Sequence, residues 1–182
     1  MSRIFLDLEY LYPGMTKKSG RPTGRQRRQV VQIAAIRVDS KGKEIDKFDM
    51  LTIPTYTEEL PAFFTELTGI TQRDVDRKAV PFEDGLSKLK NFCKGTPVWT
   101  FDKDYEVLEQ NCKYIKVKLG LKKFERVKPR LKNWDVEASE YSSGTLYKVD
   151  KVAKVRMRGH VHNALHDVRS MSRGLHFLEA IA

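Results

Sequence analysis

Acidic side chains inside an apolar N-terminal run constrain this sequence more than any other feature. The run Ile4-Phe5-Leu6-Asp7-Leu8-Glu9 is rich in large apolar residues, yet it carries two carboxylates. Side chains two positions apart on a β-strand point to the same face of the sheet, so Asp7 and Glu9 are predicted to lie side by side. A buried carboxylate is costly unless it is paired or binds a metal ion. The run therefore predicts a metal site, and an exposed strand face with two solvated acids is the alternative.

A third acid follows a second apolar run, 98–101. Asp104 lies one turn before an apolar stripe on the helix that is predicted to start there, where an acid is also favoured by the helix dipole. The stripe consists of Leu108, Cys112, Ile115 and Leu119. Asp102 projects away from that stripe and suits a solvated loop acid or a helix cap, so Asp104 is the preferred candidate for the site.

A histidine and a fourth acid occur together near the C-terminus. Asp167 lies one turn before Met171, and so it borders the apolar face of the last predicted helix. His162 precedes that helix, and its usual pKa near neutrality makes it a natural general base. His160 has a similar loop position and is a rival. His166 is a second rival, but it is predicted to point away from the Asp167 face and to be exposed.

Four carboxylates and a histidine suggest one kind of chemistry. Carboxylate oxygens are hard ligands that suit magnesium or manganese. Two such ions, held about 3.5–4 Å apart, catalyse in-line displacement at phosphorus. The set therefore predicts two-metal hydrolysis of phosphodiester bonds.

The distribution of predicted elements indicates an α/β protein. Strands are predicted over 3–10, 29–38, 43–54, 97–101 and 131–136. Helices are predicted over 61–67, 71–78, 81–94, 104–119, 147–155 and 163–181. In this order, most strands come first, most helices follow, and one helix separates the last two strands. Such an order predicts a sheet with helices on its faces.

Size, charge and cysteine usage narrow the class of protein. The 182 residues suffice for one domain with a substantial core, and 40% of them are apolar. The formal charge of +10 suggests a polyanionic partner, and a basic domain without such a partner fits the charge equally well. No membrane span is predicted, and acids interrupt the place where a signal peptide would be apolar. Cys93 and Cys112 are expected to be reduced core thiols in a cytoplasmic protein.

These motifs resemble those of the DEDDh-type 3′–5′ exonucleases of the DnaQ/RNase T superfamily. The first motif, D-x-E in an apolar strand, matches residues 7–9, the second matches Asp104, and the third, H-x4-D, matches residues 162–167. The stretch 67–72, L-T-G-I-T-Q, is similar to a substrate-binding stretch of one exoribonuclease branch and its bacterial relatives. That branch trims the ends of histone messenger RNA and small interfering RNA. The resemblance covers nearly the whole chain.

The resemblance implies a fold, a metal content and residue roles. The fold would be a ribonuclease H-like, five-stranded mixed sheet flanked by helices, built as a single domain over 1–182. Two divalent cations, Mg²⁺ or Mn²⁺, would be bound by Asp7, Glu9, Asp104 and Asp167. His162 would be the general base, which excludes His160. The pocket for the 3′-terminal nucleotide would involve Tyr10, Leu11, Leu67 and Thr68.

Three basic clusters carry most of the surplus charge. The segment 11–28 is an insertion relative to the resembling family, the second cluster runs over 113–132, and the third runs over 148–158 into the histidine segment. Basic residues beside an active site suit phosphate contacts, whereas a solvated face is their usual alternative. The candidate contacts of the third cluster are Lys154, Arg156 and Arg158. Base stacking is expected to involve rings such as Tyr10, Phe63, Phe64 or Tyr105, while Trp99 and Trp134 are expected in the core.

The leading hypothesis is a metal-dependent 3′–5′ exonuclease that acts on single-stranded nucleic acid. The branch resemblance favours RNA over DNA, whereas nothing in the bare residues separates the two. A DNA-directed proofreading or repair exonuclease is the nearest alternative. A nucleic-acid-binding module that has lost catalysis belongs to another class, and the five filled catalytic positions argue against it.

Overall fold

Five strands form one mixed sheet. They are β1 (Arg3–Leu11), β2 (Gln29–Val38), β3 (Glu44–Leu51), β4 (Val98–Thr100) and β5 (Phe124–Arg126). Their order across the sheet is β3-β2-β1-β4-β5. The first three strands are antiparallel neighbours, whereas β4 runs parallel to β1, and β5 runs parallel to β4. The computed structural model describes residues 2–16, 27–121, 124–134 and 162–181.

Helices connect and cover these strands. They are α1 (Ala62–Thr68), α2 (Gln72–Lys78), α3 (Phe82–Cys93), α4 (Asp104–Tyr114) and α5 (Ala164–Ile181), with a 3-10 helix at Lys128–Trp134. The predicted α/β class and the five-stranded mixed sheet with flanking helices are confirmed. Within the described ranges, none of the helices has the length and apolar character needed to span a membrane.

Alternation along β1 divides its side chains between two cores. Ile4 and Leu6 are fully buried with the apolar stripes of α3 and α4. Phe5 packs on the opposite face against α5, where Val168 and Leu175 belong to the same core. Because Asp7 and Glu9 continue the alternation of Phe5, they emerge on the face that α5 covers. The strand pattern thus directs both acids toward the last helix.

A third core anchors α1 and α2 at the end of β1. It contains Leu11, Phe64, Ile70 and Val75. Helix α1 ends at Gly69, which adopts a left-handed φ of 75° that glycine accepts without strain. Helix α2 then begins with a capping box, in which Thr71 and Asp74 exchange side-chain and backbone hydrogen bonds. These signals fix the stretch 67–72 as the tight link between the two helices.

The predicted position of the fifth strand and the predicted end of α4 are wrong. The fifth strand lies at Phe124–Arg126, whereas 131–136 was the predicted position. Pro129 lacks the N–H that a strand ladder needs, and Leu131 anchors the 3-10 helix in the α5 core. Helix α4 ends at Tyr114, short of Leu119, because the chain turns through a left-handed Lys116 at φ 57°. The predicted helix over 147–155 lies outside the described residues.

Both cysteines are buried and unbonded, as the sequence predicts. Cys93 ends α3 and Cys112 lies on the inner face of α4. Burial raises the pKa of each thiol to about 11, so both remain protonated at neutral pH. Trp99 is buried as expected.

We predict that Gly85→Ala destabilises the protein, although alanine normally stabilises a helix relative to glycine. A Cβ on Gly85 would lie 2.9 Å from Cγ2 of Thr52. Thr52 is fully buried and its hydroxyl donates to the Val30 carbonyl at 2.8 Å, so it cannot move aside. The expected loss is about 1–3 kcal/mol of unfolding free energy in a denaturant titration. Ser87→Ala, on the exposed side of α3, is the control and should be neutral or slightly stabilising.

Candidate active site

Three carboxylates converge between β1 and α5. Asp7, Glu9 and Asp167 each present one oxygen, and these oxygens all lie within 4.8 Å of one another. The first two lie on one face of β1, and Asp167 lies in the first turn of α5, which packs across that face. The predicted convergence of acids that are about 160 positions apart in sequence is therefore present in the fold.

Asp104 borders this trio from the start of α4. Its side chain is buried, and its charge acts on both Asp7 and Glu9. Asp102 instead forms an ion pair with Lys128, at 2.6 Å between Oδ2 and Nζ, on the adjoining loop. Asp104 is therefore the acid whose charge acts on this trio, and its role in the site stays a prediction.

Burial and mutual repulsion hold these acids against ionisation. The pKa of Asp7 is raised well above its usual value, first by burial and then by the charges of Asp104, Glu9 and Asp167. The pKa of Glu9 is raised by burial and by the charges of Asp167 and Asp104. Burial raises the pKa of Asp104 to about 7. The site therefore favours protons or cations among these oxygens.

A buried glutamine sets the position of α5. Gln32 lies opposite Glu9 in the sheet, and its Oε1 accepts the Ala164 N–H at 3.0 Å. Its Nε2 donates to Asp49 at 2.8 Å, which fixes the amide orientation. Gln32 thereby satisfies one free N–H at the start of the helix that carries Asp167. Sequence reasoning missed this residue, although a glutamine between the apolar residues of a strand is a detectable signal.

The turn before α5 contains His162 in a left-handed conformation. Its φ is 65°, an uncommon value for a residue other than glycine. Its backbone N–H donates to the Asp167 carboxylate, and its charge also acts on that carboxylate. Strained backbone of this kind occurs at functional sites, where the surroundings enforce it. His162 is thus held beside the acids, at partial exposure.

The prediction for His166 is wrong. This residue is buried, with 5% exposure, and its Nδ1 lies 3.1 Å from Oδ1 of Asp167. Its position next to Asp167 places it only about 100° around the helix, so the imidazole reaches back to the neighbouring carboxylate. Two histidines therefore act on Asp167, and both lower its pKa against the upward effect of burial. His160 lies outside the described residues.

The predicted nucleotide-pocket residues divide into surface and core. Tyr10, near the end of β1, and Leu67, in α1, are half-buried. Leu11 and Thr68 are buried, and Leu11 belongs to the third core. Phe64 is fully buried, which contradicts the base-stacking role predicted for it. Tyr105 packs on Phe124 at 4.4 Å between ring centroids, so one face of its ring is occupied.

The basic clusters are described only in part. Lys154, Arg156 and Arg158 lie outside the described residues, as does most of the insertion 11–28. In the second cluster, several described cations form ion pairs with acids, which lowers the charge available for phosphates. These pairs are Lys113 with Glu109, Arg126 with Glu106, Lys128 with Asp102, and Arg130 with Glu125.

The donor set fits divalent cations. Three carboxylate oxygens lie within mutual reach, and a fourth acid borders them. Oxygen donors of this kind suit Mg²⁺ or Mn²⁺. The strongest influences on Asp7 are burial and other carboxylates, so bound cations would supply the charge compensation that this group requires.

Comparison with known families and sequences places the chain among exonucleases. The family model RNase_T, described as "Exonuclease", matches residues 4–172. The PolC-type DNA polymerase III of Lactococcus lactis subsp. lactis (strain IL1403) is 39% identical over 85 residues, which are 47% of this chain and 5% of that protein. The PolC-type DNA polymerase III of Streptococcus agalactiae serotype III (strain NEM316) is 37% identical over 92 residues, or 50% of this chain and 6% of that protein. The chain thus spans only a small part of the length of these relatives.

Comparison with solved structures supports the ribonuclease H-like fold. The nuclease domain of 3'hExo, a DEDDh family member bound to rAMP, has a TM-score of 0.82 at 20% identity and covers 100% of this chain and 92% of that chain. E. coli Exonuclease I in complex with a dA16 oligonucleotide has a TM-score of 0.73 at 14% identity and covers 98% of this chain and 41% of that chain. Similarity at these identities shows the fold. The family model matches most of the length of this chain. The chain therefore belongs to the RNase_T exonuclease family, as its DEDDh-type motifs predict.

Proposed function

We propose that this protein is a metal-dependent 3′–5′ exonuclease that acts on single-stranded RNA. The observation that carries the proposal is the convergence of Asp7, Glu9 and Asp167 within 4.8 Å, in a chain of the exonuclease family. Asp104 completes the acidic set, and His162 completes the five motif positions.

In the proposed mechanism, each described residue has a distinct task. His162 accepts the proton of the attacking water, since it stands at the edge of the acids with partial exposure. Asp167, which accepts the His162 backbone N–H, holds the turn that carries this base. Two divalent cations, held by Asp7, Glu9, Asp104 and Asp167, would supply charge stabilisation at the scissile phosphate. Tyr10 and the Leu67–Thr68 link would border the terminal nucleotide.

RNA and DNA substrates each have an observation in their favour. The stretch 67–72 resembles that of an exoribonuclease branch, and a 3′-exonuclease that recognises the histone mRNA stem-loop shares the fold at a TM-score of 0.83 and 20% identity. DNA is favoured by the PolC-type DNA polymerase III relatives, which are 36–39% identical over about half of this chain. We place RNA first because the 67–72 stretch would contact the substrate directly.

Digestion of 5′-labelled oligonucleotides tests the reaction and the substrate. We expect a ladder that shortens from the 3′ end, faster for RNA than for DNA of equal sequence, with Mg²⁺ or Mn²⁺ and not with chelator. Asp7→Asn and His162→Ala should slow nucleotide release by roughly 100-fold or more, because each removes a group used at the reacting phosphate. Wild-type rates in either variant, with native circular dichroism, would reject the assignment.

A matched pair of variants tests the choice between two neighbouring acids. Asp104→Asn removes one charge from the acidic set and is expected to lower kcat by roughly 100-fold. Asp102→Asn breaks the ion pair with Lys128 and removes a minor charge effect on Asp104, so activity should stay within about threefold of wild type. The measurement is the steady-state kcat of both variants on the same RNA. A larger loss in Asp102→Asn than in Asp104→Asn would assign the second motif to Asp102.

The raised pKa values predict how stability depends on pH and metal. Because the folded-state pKa of Asp104 is about 7, above the unfolded value of about 4, the folded state holds extra protons between these limits. This group's contribution to the stability of the metal-free protein therefore falls as pH rises from about 4 to 7. Bound Mg²⁺ needs ionised carboxylates, so its increase in Tm should be larger at pH 7.5 than at pH 5.5.

Thermal melts with Mg²⁺ and with chelator at both pH values provide the measurement. Asp104→Asn should raise the metal-free Tm at pH 7.5 and reduce the increase caused by Mg²⁺, while Asp102→Asn should leave both close to wild type. An equal Mg²⁺ effect at the two pH values would contradict metal binding by these acids.

A further inference from the structure

We propose that Arg27, Tyr56 and Tyr114 form a docking platform for the single-stranded substrate upstream of its 3′ end. This inference rests on the proposed exonuclease function and adds a second contact region to it. We call these three residues the upstream platform. None of them belongs to the motifs of the catalytic set.

The three side chains pack against one another at the surface. The Arg27 guanidinium lies 4.6 Å from the ring centroid of Tyr56. The Tyr56 and Tyr114 centroids are 5.4 Å apart, and the rings meet edge to face at 77°. Tyr56 is 47% exposed, whereas the other aromatic rings whose burial the structure describes are buried or half-buried. An exposed ring beside a guanidinium offers a stacking face and a phosphate donor together.

Partly buried hydrogen bonds hold the platform in place. The Tyr56 backbone N–H donates to Oε1 of Gln29 at 2.5 Å, and Nε2 of Gln29 donates to the Thr57 hydroxyl at 2.7 Å. Gln29 is fully buried on β2, so the loop that carries Tyr56 is anchored to the sheet. A pre-ordered stacking surface loses little conformational freedom when a base binds to it.

A continuous line of side chains connects the platform to the acids. Arg28 follows Arg27, and its guanidinium lies 6.0 Å from the ring centroid of Tyr10. Tyr10 in turn lies close enough to the acids that the charges of Asp104 and Asp7 act on its hydroxyl. Asn111 fixes this line, because its amide donates to the Arg28 carbonyl at 3.1 Å and accepts from the Val30 N–H at 3.2 Å.

Helix α4 sets the distance between the two ends of this line. Asp104 lies in its first turn and Tyr114 is its last residue. Ten residue steps at a rise of about 1.5 Å give roughly 15 Å. That length corresponds to about four stacked nucleotides at roughly 3.4 Å each. A strand with its 3′ end at the acids would therefore reach the platform with its fourth or fifth nucleotide.

Two polar atoms on this line lack a partner. Nε of Arg28 and the hydroxyl of Tyr114 are buried, and neither has a hydrogen-bond partner within the structure as described. Burial of a polar atom without a partner is costly, so these atoms are candidates to bond a ligand. A phosphate or sugar oxygen would satisfy Arg28, and a base or sugar edge would satisfy Tyr114.

Charge complementarity selects nucleic acid as the occupant. The catalytic acids repel the phosphates of a substrate, so binding needs cations outside that site to hold the strand. Arg27 and Arg28 supply two such cations beside the line that leads to the acids. Aromatic rings with interleaved arginines bind single strands with little sequence preference. The platform therefore suits a substrate whose sequence varies.

Substrate length provides the test. KM and kcat are measured for RNA oligonucleotides of two, four and ten residues, with DNA used if RNA is not cleaved. Tyr56→Ala should raise KM for the ten-residue substrate roughly tenfold, because loss of stacking weakens binding by that order. The dinucleotide cannot reach the platform, so its KM and all kcat values should be unchanged. Tyr56→Phe keeps the ring and should behave as wild type.

Charge is tested with a matched lysine. Arg27→Ala should raise KM for the ten-residue substrate, and the effect should shrink as salt increases. Lys88→Ala removes one charge from an exposed position of α3 and should have no effect on KM. A KM increase of equal size at every substrate length would assign a structural role and overturn the platform, as would an unchanged KM at all lengths.

Failure of the platform and failure of the proposed function can be told apart. If the wild type cleaves no oligonucleotide, the function fails, and fluorescence anisotropy with a labelled ten-residue RNA then tests the platform directly. Tyr56→Ala should still bind that RNA roughly tenfold more weakly than Tyr56→Phe. Competition by polyglutamate as strong as that by RNA would assign the platform to an acidic protein partner and overturn the proposal.

Discussion

Mutual repulsion among four crowded carboxylates is the constraint on which this structure depends. Ionised together without cations, they oppose folding, since burial raises the pKa of each. Neighbouring carboxylates raise the pKa of Asp7 and Glu9 further. One pKa unit corresponds to about 1.4 kcal/mol, so holding Asp104 ionised at neutral pH costs several kcal/mol that the surrounding cores must supply. A fold that retains such a cluster is less stable without cations, and it presents a site that can bind them.

Two opposed cores make this arrangement possible. One core fixes β1 from the side of α3 and α4, and the other fixes α5 on the opposite face of the same strand. Gln32 joins the two acidic elements, because it lies opposite Glu9 and binds the first N–H of α5. The acids therefore sit on regular elements and not on loops, which gives them a rigid backbone support.

The periodic spacing of apolar residues predicts which side chains share one face of a strand or helix. Strand alternation places Asp7 and Glu9 together, and the α4 stripe separates Asp104 from Asp102. Other features depend on tertiary contacts that no local pattern reports. His166 is buried because Asp167 lies within its reach, the fifth strand forms where Phe124–Arg126 can pair with β4, and Tyr56 meets Tyr114 only because Gln29 anchors a distant loop. The convergence of Asp7, Glu9 and Asp167 was therefore predictable, whereas the Gln32 contact and the packing of Tyr56 on Tyr114 were not.

Choice between RNA and DNA must come from groups that touch the sugar, because carboxylates and cations act on phosphate oxygens that both substrates share. The Thr68 hydroxyl is an evident candidate in the 67–72 stretch, yet it donates to the Phe64 carbonyl at 2.9 Å and accepts the Ile70 N–H at 3.1 Å. Since it is also buried, its role is to shape the link between α1 and α2. Recognition of a 2′-hydroxyl would then fall to backbone groups of that link or to the half-buried Tyr10, whose hydroxyl lies beside the acids. A preference for RNA in this protein would thus depend on groups other than the Thr68 hydroxyl.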